Sequence, residues 1–187
     1  MVAQPQPGAA LSAEEQRALD ARLYAAAGGG DAAAVVRLAG EGANADVKDE
    51  YAWPAVAVAA ANGHKAAVEA LLRLGCDPNA PNRGGWTALM AAAQNGHGGV
   101  VGALLEHGGA ELDAVDSDGR TALMDAAFHG QAAVAAQLVE AGADATLRAT
   151  GSFDPGKTAL EIAETHGHAE VAALLRSAAE PGVRALR

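Results

Sequence analysis

The 187-residue chain has a single cysteine, Cys76, so no internal disulfide can form and the fold must hold without a covalent staple. That usage fits a reducing compartment, and the expected location is the cytoplasm. Aromatic residues are also scarce, with two Phe, two Tyr and two Trp, so the interior has to be closed with Ala, Leu and Val. Small side chains let helices approach closely, which suits a thin stacked array better than a thick sandwich. Positive charge is in short supply as well: 13 Lys and Arg stand against 23 Asp and Glu, a formal charge of -10. A nucleic-acid backbone or an anionic membrane surface is excluded as partner on that ground, since both require a positive face. A basic protein partner is favoured over long range. No apolar run is long enough to span a bilayer, and Met1-Val2-Ala3-Gln4-Pro5-Gln6-Pro7 lacks the basic start and apolar stretch of a secretory signal.

Cofactor motifs are missing too. Gly28-Gly29-Gly30 and Gly96-His97-Gly98-Gly99 lie between helical patterns and lack the Lys-Ser/Thr that would follow a phosphate-cradling loop. His166-Gly167-His168 offers two imidazoles with no third ligand nearby, a poor metal site. Neither a cofactor nor a metal is expected. Leu74-Gly75-Cys76-Asp77 matches Ala141-Gly142-Ala143-Asp144, so Cys76 stands in for an alanine in a turn and is not a catalytic thiol.

What the chain does have is a period of about 33 residues. Gly85-Trp86-Thr87-Ala88-Leu89 followed by Gly96-His97 recurs as Gly119-Arg120-Thr121-Ala122-Leu123 with Gly130-Gln131, and as Gly156-Lys157-Thr158-Ala159-Leu160 with Gly167-His168. An eroded copy, Ala52-Trp53-Pro54-Ala55-Val56 with Gly63-His64, precedes the first. Each unit reads as two helices. Thr87 caps the first, Leu89, Ala92 and Ala93 give it a narrow apolar face, and Gly96 ends it. A second helix follows, and its apolar spacing recurs five times, as Val35/Leu38, Val68/Leu71/Leu72, Val101/Leu104/Leu105, Val134/Leu138/Val139 and Val171/Leu174/Leu175. Ser12-Ala13-Glu14-Glu15 is a capping box opening the first unit, whose Glu14, Glu15, Arg17, Asp20 and Arg22 point outward at a terminus without a neighbour. In such an array Leu104 and Leu105 at the centre should matter more to cooperativity than Leu174 at the end.

Gly-x-Thr-Ala-Leu-x-x-Ala-Ala, the Gly-His pair and Leu-Leu-x-x-Gly-Ala-Asp, repeated in register over residues 12 to 179, resemble the ankyrin repeat family. The resemblance implies an all-α solenoid of about five helix-turn-helix units with protruding hairpin-like loops, and a concave face of loop tips and first helices as the protein-binding surface. The expected division is a disordered arm at 1–11, one repeat domain at 12–180 with units at 12–48, 49–81, 82–115, 116–148 and 149–180, and a frayed tail at 181–187. Two departures stand out. The family's Thr-Pro-Leu-His is Thr-Ala-Leu here, with Ala57, Met90, Met124 and Glu161 at the His position, which replaces the usual histidine hydrogen bonds with an Ala/Met groove. The fourth-to-fifth junction carries about four extra residues around Ala149 to Gly156, a longer finger.

By the same resemblance, the residue before each Thr faces the concave side, giving Trp53, Trp86, Arg120 and Lys157. Glu50, Tyr51, Arg83 and Asp118 lie at loop tips, and Met90, Met124 and Phe128 line the groove. Both tryptophans fall in equivalent positions of adjacent units, roughly 10 Å apart by helix spacing, where they flank one partner side chain or stack on their own fingers. The leading expectation is a non-enzymatic, monomeric protein-interaction module. The alternative is a small-molecule binder or enzyme built on Asp125, a carboxylate where the sister units have Val58, Ala91 and Ile162, paired with His129 four residues on. A plainer role for Asp125 is to bind Arg120 or a loop amide and fix the stack.

Overall fold

The computed structural model describes residues 11–107, 109–152 and 154–179; the expected arm and tail lie outside these apart from Leu11, which is exposed. The period becomes ten helices in five antiparallel pairs: α1 (Ala13–Gly28) with α2 (Ala32–Gly40), α3 (Ala55–Ala61) with α4 (Lys65–Arg73), α5 (Ala88–Gln94) with α6 (Gly98–His107), α7 (Ala122–Phe128) with α8 (Ala132–Ala141), and α9 (Ala159–Thr165) with α10 (Ala169–Ala179). First helices pack on first helices, α1 to α3 to α5 to α7 to α9, and second helices on second helices in the same order.

Each short first helix starts where its sequence dictates. Thr87 and Thr121 accept from the amides of Met90 and Met124, and Thr158 and Ser12 form full capping boxes with Glu161 and Glu15. Pro54 opens α3 with its fixed φ and no side-chain cap. At the other end a glycine with positive φ turns the chain into the second helix, and the neighbouring unit exploits its lack of a side chain. A Cβ on Gly63 would come 2.8 Å from the His97 ring, and one on Gly96 would come 2.4 Å from the Gln131 amide. With the glycine in place, the next unit's side chain reaches the carbonyl that ends the first helix: Asn62 donates to Gly28 O (2.9 Å), His97 Nε2 to Ala61 O (3.0 Å), Gln131 to Gln94 O (3.1 Å) and His168 Nε2 to Phe128 O (2.8 Å). Since a carbonyl can only accept, these contacts place the imidazole protons on Nε2.

A second seam runs along the opposite edge. The side chains of Asp46, Asn79 and Asp113 accept from the backbone amides of Asp77, Glu111 and Asp144, each one unit further on. Asp20 belongs to this seam, because its carboxylate takes the Asn44 amide at 2.7 Å; the outward role expected for it is corrected to that of a turn anchor. Between the seams lies a continuous core. Val35, Leu38, Val68, Leu71, Val101, Leu104, Val134, Leu138, Val171 and Leu175 are buried, while Leu72, Leu105, Val139 and Leu174 are half-buried on its margin. The ends differ from the middle. Glu161 and Glu164 in the fifth unit occupy positions that Met90 and Met124, and Ala93 and Ala127, bury in the interior, and Glu164 pairs with Arg176 at 2.7 Å. Charge at these two positions marks a terminal unit.

Leu104 and Leu175 are equally buried, but α6 packs on both α4 and α8, whereas α10 has α8 and its own partner α9. Truncating a buried leucine costs about 2 to 5 kcal/mol. Leu104→Ala should broaden or split the urea transition followed by circular dichroism, while Leu175→Ala should leave one sharp transition with a smaller shift. Equal shifts with unchanged slopes would contradict a nearest-neighbour stack.

Candidate functional site

Four fingers project between the helix pairs, each closed by a backbone bond across its base: Asp49 N to Trp53 O (3.1 Å), Asn82 N to Trp86 O (2.9 Å), Asp116 N to Arg120 O (3.0 Å) and Ala149 N to Lys157 O (3.0 Å). In the first three, the side chain at the base holds the turn. Asp49 accepts from the amides of Tyr51 and Trp53, Asn82 from Gly84 and Trp86, and Asp116 from Asp118 and Arg120. Ala149 has no such side chain, and the four-residue excess of the last finger is tied instead by Gly156 N to Ala149 O. Adjacent fingers join through Arg83 N to Tyr51 O (3.3 Å), Ser117 N to Gly84 O (2.8 Å) and Thr150 N to Asp118 O (2.9 Å). The position before each Thr is thereby fixed on one row: Trp53, Trp86, Arg120, Lys157.

The row divides into two halves. Trp53 and Trp86 are half-buried, and their rings meet at 6.4 Å between centroids with a tilt of 52°. That is closer than the roughly 10 Å expected from helix spacing, and both rings also pack on the core. They form a corner rather than a slot, and no partner group fits between them. Tyr51 stands beside them at the first tip, 60% exposed, with Glu50 and Arg83 exposed nearby.

Arg120 departs from its expected presentation to a partner. It is 9% exposed, its guanidinium carbon lies 4.8 Å over the Phe128 ring, and its Nη2 approaches Asp125 Oδ1 at 2.7 Å. Asp125 is completely buried. The contact is an ion pair without hydrogen-bond alignment: Arg120 Nε and Nη2 and both Asp125 oxygens have no hydrogen-bond partner. Burial pushes the Asp125 carboxyl up to about 7, against the pull of Arg120 and with further help from the Asp116 carboxylate. Lys157 is likewise engaged, bonding Asp154 Oδ1 (2.6 Å) and Thr165 (3.1 Å), and His166 Nε2 meets Asp154 Oδ2 at 3.1 Å.

Further corrections concern the groove. Met90 and Met124 are each 1% exposed, between first helices, so the expected Ala/Met groove is interior packing and neither methionine can touch a partner. The Asp125–His129 acid–base pair does not form. His129 turns its Nδ1 to the Asp125 backbone oxygen at 3.0 Å, as the residue closing α7, and the Asp125 carboxyl faces Arg120. Phe128 is half-buried, with the His129 ring at 4.9 Å and the His166 ring at 4.3 Å. Asp118 is half-buried and accepts from the Ser152 amide at 3.2 Å, holding the longer finger. Cys76 is buried, and burial together with the Asp46 and Asp77 carboxylates pushes its thiol up to about 12, so it is no nucleophile. Sequence reasoning missed Asp154 and His166 as a cluster with Lys157; the extra residues in that finger were the available signal.

Among the described residues no three His, Cys, Asp or Glu side chains lie together as a metal would need, and no helix is long and apolar enough to cross a membrane.

Two outcomes follow from the buried pair. Arg120→Ala leaves the buried Asp125 without its cation and should cost about 3 to 5 kcal/mol in urea unfolding at pH 8. Arg120→Ala with Asp125→Ala, which restores the alanine that the third unit has at this position, should recover most of that loss; a double variant as unstable as the single would show that the pair is not what Arg120 serves. The folded Asp125 carboxyl holds its proton more tightly than the unfolded one, so its contribution is complete below the unfolded value of 3.8 and is lost as pH rises through about 7. The melting temperature of the protein should therefore fall relative to that of Asp125→Asn between pH 5 and 8, and parallel curves would contradict the raised value.

No curated protein matches the chain. The family model described as Ankyrin repeats (3 copies) matches residues 23–116, 57–149 and 110–185. These overlapping matches run from the end of α1 through α10 with the fingers between, in agreement with the glycine-turned stack and the hydrogen-bonded seams, and the chain belongs to the ankyrin repeat family.

Proposed function

We propose that the protein is a non-enzymatic interaction module that holds a protein partner on its concave face, anchored at the Trp53–Trp86 corner with Tyr51, Glu50 and Arg83 as its rim. The observation that carries the reading is the tryptophan pair itself. In a chain with six residues of Phe, Tyr and Trp, two adjacent units present indoles from the same finger position, meeting at 6.4 Å and still partly open to solvent. Large, rigid aromatic side chains in partly desolvated settings supply most of the energy at protein interfaces. The rest of the row plays a supporting part, since Arg120 and Lys157 are held by Asp125 and Asp154.

Charge shapes the partner more than the contact. The chain carries -10, yet Asp49, Asp116, Asp125 and Asp154 on the finger side are all committed to turns or ion pairs. Asp77, Glu111 and Asp144, in the loops that lead into the fingers, are exposed, so a basic partner is drawn in by the overall field and held by the aromatic corner.

Capture from lysate on the immobilised full chain, followed by affinity measurement with the captured protein, tests this. Trp53→Ala and Trp86→Ala should each weaken binding by about 30-fold, corresponding to about 2 kcal/mol, with far-UV circular dichroism unchanged. Val36→Ala on the second-helix side, where the side chain is 52% exposed, should leave affinity as it was. Equal affinities for all three variants would refute the concave-face reading.

A further inference from the structure

Trp53 and Trp86 keep binding capacity that the chain itself does not use. Neither indole N–H has an acceptor among the described residues, and neither is closed off from water, so both donors face solvent. Nor does any cation of the described residues lie over either ring. Lys48 reaches across to Pro81 O at 3.4 Å, and Arg83 stands exposed at the second fingertip. Indole is the strongest side-chain acceptor of a cation on its ring face.

The fourth unit shows what an aromatic ring takes in this fold. Arg120 holds its guanidinium carbon 4.8 Å over Phe128, with the Asp125 carboxylate at 2.7 Å as its counter-charge. In the second and third units the row supplies rings in place of the cation, and the acids of the first finger stay where they are: Asp49 at its base and Glu50 exposed at its tip. The approach to the corner is acidic too, since Asp46, Asp77, Glu111 and Asp113 are exposed in the loops leading into the fingers and the whole chain carries -10. The missing member of the set is a positive charge from outside.

We propose that the Trp53–Trp86 corner receives an arginine side chain from a basic segment of the partner. Its guanidinium lies flat on an indole with its N–H groups turned to Glu50, and the indole N–H groups donate to backbone carbonyls of the same segment. This rests on the reading of the corner as the partner's anchor and names the group that anchors there. Rings 6.4 Å apart and tilted by 52° make an open corner without the enclosing walls that a round ammonium needs. A planar, weakly hydrated guanidinium can stack on one open surface, so arginine is preferred to lysine.

Trp53 and Trp86 are the only tryptophans in the chain, so two indole N–H signals in a nitrogen–proton NMR spectrum of the full chain report on the corner alone. The probe is a blocked decapeptide of glycine and serine carrying three arginines, compared with the same peptide bearing lysine, citrulline or proline in their place. The arginine peptide should shift both indole signals, and its δ-methylene protons should move upfield under the ring current. It should bind about threefold more tightly than the lysine peptide of equal charge. Citrulline, which keeps the shape and loses the charge, should bind at least about tenfold more weakly than arginine. Trp53→Leu combined with Trp86→Leu, folded by circular dichroism, should erase the difference between arginine and lysine, and Glu50→Gln should weaken the arginine peptide about threefold while leaving the citrulline peptide unmoved. The proposal is overturned if the indole signals stay in place, if the lysine or proline peptide binds the unaltered chain as tightly as the arginine peptide, or if the arginine preference survives in the double variant. Should a captured protein still depend on Trp53 and Trp86 after such a result, the corner remains an anchor and only its arginine is removed; should it depend on neither, the anchor itself is lost.

Discussion

The structure depends on how the last carbonyl of each first helix is satisfied. α3, α5, α7 and α9 have seven residues each, too few to persist alone in water. The carbonyl ends of first helices would be left open at the turn, and in four of the five units the following repeat closes them with a carboxamide or imidazole; His97, Gln131 and His168 do so by passing over a side-chain-free glycine. Close approach of the backbones and the hydrogen bond require each other. A larger residue at Gly63 or Gly96 would push the next unit away, and the donor would no longer reach.

The asparagine and aspartate side chains between the helix pairs extend the same logic to the loops. Asp46, Asn79 and Asp113 tie each loop to the next, while Asp49, Asn82 and Asp116 close three fingers. Much of the acidity of this chain is thus structural at short range, with side-chain oxygens accepting backbone protons that a β-ladder or a longer helix would otherwise have bonded. The fingers are stiff enough to present tryptophans at a set angle, and they need almost no strand pairing to be so: the isolated bridge between Lys48 and Pro54 is the only one among the described residues.

The fold was legible in the sequence because its causes are local and repeated. Thr87, Thr121 and Thr158 announce helix starts, Gly63, Gly96, Gly130 and Gly167 announce turns, and the spacing of Val101 and Leu104 recurs where the second helices lie. The site was legible only in part. Trp53 and Trp86 stand together on one row as their equivalent positions require, but Arg120 and Lys157, equivalent by the same count, fold onto Asp125 and Asp154. Met90 and Met124 failed as groove residues for a related reason: the first helices approach so closely over their alanines that the methionine side chains are enclosed.

The sequence by itself determined the number of units, the limits of the helices and the row of residues before each threonine, since capping, glycine turns and apolar spacing act within a few residues. The tertiary structure alone decided which members of that row remain open. Whether a charged side chain reaches solvent depends on what the adjoining unit places beside it, and a buried carboxylate such as Asp125 draws an arginine inward because a charge removed from water must find its opposite close by.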